Sequence, residues 1–185
     1  MSLKEKLRDI ALEGDFRSKM SDYINEITLW HNITMNFLTA PLNKNQRSAF
    51  DFAQMSSEKK SRIIQYALTN KQTLNLIFYK LISEACNNYS TEEISCASYA
   101  TFAATFSQWI KPENETTLLF GIAEISSCPE EIRIGTFSEH FWTEINGNIF
   151  DNQQFSNHSY INLEPRLILK GKDVLSGNFQ FKKVA

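Results

Sequence analysis

The dipeptide Asn146-Gly147 constrains this chain more than any other feature. Asn-Gly between two runs of strand-forming residues is the strongest short-range signal for a two-residue β-hairpin turn, and such a turn fixes a register. Ile145 then faces Asn148, Glu144 faces Ile149, Thr143 faces Phe150, Trp142 faces Asp151 and His140 faces Gln153. Residues opposite one another share a face of the sheet, so His140, Trp142, Glu144 and Asp151 point the same way. His140 and Asp151 become diagonal neighbours, with Cβ atoms somewhat under ~7–8 Å apart. Glu144 lies roughly 13 Å from His140 along the strand, at ~3.3 Å per residue. Asp151, not Glu144, is therefore the carboxylate that can orient the imidazole.

An imidazole held by a carboxylate is two thirds of a nucleophile, base and orienter set. The nucleophile that stands out is Cys96, which opens the small-residue run Cys-Ala-Ser-Tyr-Ala-Thr-Phe-Ala-Ala-Thr-Phe-Ser-Gln-Trp-Ile. The start of that helix is ambiguous. Ser90-Thr91-Glu92-Glu93 is a capping box that would begin the helix near Thr91 and bury Cys96 in its second turn. Alternatively Ser95 is the cap and Cys96 the first helical residue. Only the second choice puts free backbone N–H groups and the positive helix end at the thiol. The two starts separate two functions, a binding domain with an inert buried thiol and a cysteine enzyme.

Cys96 at the head of an alanine-rich helix, followed by strands and then by His140-Phe141-Trp142-x-Glu144-Ile145-x-Gly147-x-Ile149-Phe150-Asp151, resembles the transglutaminase-like superfamily. That resemblance spans roughly residues 90–153. It implies a papain-like α+β fold with Cys96 as nucleophile, His140 as general base and acid, and Asp151 as orienter. Trp142 matches the aromatic that follows the His in the family pattern and is the candidate substrate-binding residue, against its reading as core. The sequence departs from the pattern before Cys96, where Glu92-Glu93-Ile94-Ser95 stand, and after Asp151, where Asn152 replaces a proline. The implied chemistry is acyl transfer on an amide through a thioester, resolved by water (proteolysis or deamidation) or by an amine (transglutamination). The implied partner is a protein or peptide substrate carrying that amide. A second oxyanion donor besides the Cys96 N–H is expected from Gln54, Asn87 or Asn88. Two other readings are a catalytically inactive member that binds a protein, and an arylamine acyltransferase, which uses the same residue order.

Several classes are set aside by composition. A net charge of −2 with no basic stripe gives no reason to expect nucleic acid. No apolar run approaches the ~20 residues of a membrane span, and the first residues have no apolar signal-peptide core. Three widely spaced cysteines, Cys86, Cys96 and Cys128, argue for free thiols in a reducing compartment, the cytoplasm. Cys96, Cys128, His140 and His158 lack metal-site spacing, and only six glycines leave no phosphate loop, so neither a metal nor another cofactor is expected. Cys86 and Cys128 read as inert, His31 as a satisfied helical histidine, and His158 as a loop residue that could compete with His140.

At 185 residues the chain is expected to form one domain, residues 1–185. Helices are expected over 3–14, over 16–39 up to Pro41, after Ser57, over about 74–86, and from the Cys96 region to Ile110. Residues 40–56 read as a loop or short helix, and Asn87-Asn88-Tyr89-Ser90 as a turn. Strands are expected over Thr117–Ala123, Ile132–Thr136 and the hairpin 139–151, with a loop over 125–130. The segment 153–164 is polar, and Leu167–Leu169 with Asn178–Phe181 reads as a final hairpin, broken at Lys170-Gly171-Lys172. The sum is α+β, a helical half (1–110) packed on a mainly antiparallel β half (115–185).

Overall fold

The computed structural model describes residues 16–39, 56, 58–59, 62, 70–89, 94–126, 136–152 and 159–184. The expected helix 3–14, the segment 40–55 and most of the helix after Ser57 lie outside these, as do Cys128 and His158. The elements are α1 (Phe16–Thr39), α2 (Lys71–Tyr89), α3 (Cys96–Ile110), β1 (Thr116–Ser126), β2 (Thr136–Ile145), β3 (Asn148–Phe150), β4 (Ser159–Lys170), α4 (Gly171–Leu175) and β5 (Lys182–Lys183). The strands form one sheet in the order β3-β2-β1-β4-β5, antiparallel at every pairing. The architecture is thus α+β.

Helix α3 is the centre of the fold. Ala97 through Gln108 are all buried, because alanines at 97, 100, 103 and 104 let other elements approach its backbone while Tyr99, Phe102 and Phe106 fill the space between. One apolar cluster joins α3 to α1, α2 and the hairpin through Trp30, Phe78, Tyr99, Phe102, Ile145 and Phe150. A second joins α3 to the sheet through Ala97, Ala100, Ala104, Leu118, Phe120 and Phe141.

The hairpin forms in the expected register, with Thr143 opposite Phe150, Glu144 opposite Ile149 and Ile145 opposite Asn148. Its two turn residues have positive φ, 50° at Asn146 and 78° at Gly147, the requirement of a type I′ turn. Two polar contacts pin it to α3. Asn146 Nδ2 donates to Asn114 Oδ1 at 3.1 Å, and Asn114 Nδ2 donates to Ser107 Oγ at 3.0 Å. Further along, the buried Thr143 hydroxyl donates to the Ala100 carbonyl at 2.7 Å. Thr143→Val keeps the shape and removes only this bond. The Ala100 carbonyl is also a helix acceptor, so the expected loss is at the low end for a buried hydrogen bond, about 1 kcal/mol, read as a lower urea midpoint.

The structure departs from the sequence expectations in several places. α2 runs through Tyr89, so residues 87–89 are helical rather than a turn. β1 continues to Ser126, past the expected loop start at 125, and β2 begins at Thr136, while the rest of the expected strand 132–136 lies outside the described residues. Residues 159–164 are strand despite their polarity, because β4 pairs along nearly the whole length of β1, and ladder partners outweigh local composition. Pro165 fits there because the register shifts beside it, and a bulge tolerates the missing N–H. Finally, the chain after β4 does not turn directly into a hairpin. It forms α4, stopped by Gly177 at φ 74°, with Gly177 N–H donating to Val174 O and Asn178 N–H to Asp173 O, a Schellman stop. The return strand is consequently Lys182–Lys183, not Asn178–Phe181, although it does pair with Ile168 and Leu167 as part of β4.

Candidate active site

Ser95 decides where α3 begins. Its side chain accepts the Ser98 N–H at 3.0 Å and its carbonyl accepts the Tyr99 N–H at 3.0 Å, so Ser95 is the N-cap and Cys96 the first helical residue. The N–H groups of Cys96 and Ala97 precede the first intrahelical bond and have no partner within the helix. Of the two possible starts, this is the one that leaves the thiol at the positive helix end. Cys96 is half-buried, whereas His140 and Asp151 are 2% and 8% exposed. Of the three residues, Cys96 is the most open to solvent.

His140 sits on β2 with its Nε2 3.7 Å from Asp151 Oδ2, an ion-pair separation longer than a hydrogen bond. Asp151 follows β3 directly. Burial opposes charging of the imidazole, but the nearby Asp151 carboxylate and Cys96 thiol outweigh it and hold His140 above its ordinary range. Of the three residues named from the sequence, Asp151 lies beside His140, and Cys96 is near enough to His140 to bear on its charge. Glu144 is half-buried on the same strand.

A raised imidazole means that folding favours its protonated form. That stabilisation is complete below about pH 6.5, the unperturbed value, and is lost as pH rises through the higher native value. The urea stability of the wild type relative to His140→Gln is expected to shrink steadily as pH rises above about 6.5. A difference that stays constant over this range, or grows, would show that His140 is not charged by its surroundings.

Trp142 is 1% exposed and lies nearly parallel to the His140 ring, 17° between planes and 6.1 Å between centroids. In the free protein its burial fits the core reading rather than an open wall of a substrate cleft. Gln54 lies outside the described residues and the side chains of Asn87 and Asn88 are not among those described. His31 is held at 3.1 Å from the Leu175 carbonyl. Among the described residues no group of three or more His, Cys, Asp or Glu side chains could hold a metal ion, and no helix is long and apolar enough to cross a membrane.

Two residues near the site have no counterpart in the sequence expectations. The Tyr23 hydroxyl donates to Glu139 Oε2 at 2.7 Å, and the Ser95 hydroxyl donates to Glu26 Oε1. Tyr23 and Glu26 are half-buried and three positions apart on α1, hence on one helix face. The available signal is that polar residues share this face with Ile27 and Trp30, which are buried. Comparison with protein-family models, with curated proteins and with solved structures finds no match to this chain.

Proposed function

We propose that this protein is a cysteine-dependent acyl-transfer enzyme acting on amide bonds of a protein or peptide, built on a papain-like, transglutaminase-like arrangement. The observation that carries the reading is that His140 lies beside the Asp151 carboxylate and near enough to Cys96 for both to favour its charged form, with Cys96 half-buried at a helix start. A structural cysteine needs neither the imidazole nor the buried carboxylate behind it.

In the proposed cycle, His140 takes the Cys96 proton and the thiolate attacks the amide carbonyl carbon. Asp151 faces Nε2, so the nitrogen that serves the thiol is Nδ1. Charge on the carbonyl oxygen is met by the Cys96 N–H at the start of α3. The imidazolium then protonates the departing amine and a thioester remains on Cys96. Water or an amine attacks the thioester, His140 takes its proton, and the thiolate leaves. Asp151 favours the imidazolium at each step.

Incubation with a panel of peptide acyl donors, quenched in acid and read by mass spectrometry, is expected to show an acyl group on Cys96 that is absent in Cys96→Ala. Adding a primary amine distinguishes the two resolutions by the mass of the product. Acylation of Cys86 or Cys128 instead, or of no cysteine, would contradict the proposal.

A further inference from the structure

The two contacts that α1 makes with the site fall on matched positions. Glu26 accepts the hydroxyl of Ser95, the residue immediately before Cys96. Tyr23 donates to Glu139, the residue immediately before His140. The first partner is the cap of the nucleophile's helix, and the second is a residue of the base's strand. Cys96 and His140 lie on separate elements, α3 and β2, and α1 bridges both with one face.

We propose that α1 is a brace that sets the Cys96–His140 separation, with Glu26 and Tyr23 as positioning residues. The proposal rests on the assignment of Cys96 and His140 as nucleophile and base.

The chemistry of each contact suits that role. Ser95 gives its proton to a carboxylate, which turns its lone pairs toward the Ser98 N–H at 3.0 Å. A charge-assisted bond of this kind is stronger and shorter than a neutral one, and a hydroxyl committed in two directions cannot swing the cap away. Tyr23 is seated by its ring, edge-on to Phe141 at 5.2 Å and tilted on Phe120 at 5.5 Å. Phe141 is the residue after His140, so Tyr23 grips β2 on both sides of the base. The titratable groups that bear on this region are His140 and Glu139 from β2, Asp151 after β3, Cys96 from α3, and Tyr23 and Glu26 from α1. Burial and the Glu139 bond push the Tyr23 hydroxyl up, with the charges of Glu139, Cys96 and Glu26 adding to this. That hydroxyl therefore stays a neutral donor.

The test is the alkylation rate of Cys96 by iodoacetamide at neutral pH, in wild type and in a His140→Ala background. Tyr23→Phe removes the hydroxyl and keeps the ring. Glu26→Gln removes the charge but keeps an oxygen for Ser95, and Glu26→Ala removes both, so the ratio of these two isolates the contact. Misplacement of a reacting pair by about 1 Å costs up to about a hundredfold, so a loosened brace is expected to slow Tyr23→Phe, and Glu26→Ala relative to Glu26→Gln, about tenfold each. Both differences are expected to vanish when His140 is alanine, because only the pair's separation is affected. Thermal melts identify any variant whose loss is global unfolding, and rescue by Glu26→Gln covers Glu26→Ala. Differences that persist without His140, or no differences at all, overturn the brace. If His140→Ala alone leaves the Cys96 rate unchanged, the catalytic assignment fails first and takes the brace with it.

Discussion

Replacing His140 with alanine is expected to lower kcat/KM on an amide substrate by about 10²–10⁴, the usual loss when a positioned general acid–base is removed. Each tenfold is about 1.4 kcal/mol of transition-state stabilisation. The size follows from the two roles the side chain holds in turn, accepting the Cys96 proton and then supplying one to the leaving amine. Stability changes too, since the 8%-exposed Asp151 carboxylate loses the imidazole beside it, which costs about 1–3 kcal/mol. Activity and stability are therefore measured separately, by single-turnover kinetics well below the melting temperature and by urea denaturation. A variant that stays folded and keeps wild-type kcat/KM would rule out His140 as the proton carrier.

Gly121→Ala is expected to be the most destabilising single substitution in the sheet, at about 3–5 kcal/mol by urea denaturation. A Cβ at this position would lie 2.0 Å from the Glu164 carbonyl oxygen and 2.9 Å from the Pro165 Cα. Both are backbone atoms of β4, so no side chain can rotate out of the way. The register shift between Phe120 and Gly121 sits at the same place, and the absence of a Cβ is what lets β4 close onto β1 there. Gly121 also pairs with His140 across β1 and β2. Displacing it is expected to disturb the base as well, seen as slower Cys96 alkylation even in the fraction that remains folded. A loss under about 1 kcal/mol would mean that the two strands can separate locally at little cost, against the close packing usual in protein interiors.

How much of this could be read from the chain depended on how local the determinants are. The hairpin was legible because Asn146-Gly147 and the period-2 alternation around it set turn, register and facing residues within a dozen positions. That register brought Asp151 rather than Glu144 to His140. Helix α1 was legible from the spacing of Ile27, Trp30 and Ile33, all buried. The start of α3 was not, because the Ser90 capping box and the Ser95 cap are both valid signals. The contact between Ser95 and Glu26, 69 residues apart in sequence, favours the Ser95 cap. The extent of β4 was hidden for the same reason, since its polar first half pairs with β1 rather than following a pattern of its own. The C-terminal hairpin expectation failed on a stop signal, Gly177, that ended a helix too short to show periodicity.

The most direct measurement of the central claim is the rate of alkylation of each cysteine at pH 7, resolved by mass spectrometry, in the wild type and in His140→Ala. The proposed thiol–imidazole pair predicts that Cys96 reacts faster than Cys86 and Cys128, by about tenfold or more, as activated thiols do beside a histidine at a helix start. It predicts that His140→Ala removes this advantage. Cys96 reacting no faster than the other two in the folded wild type, or equally fast without His140, would contradict it.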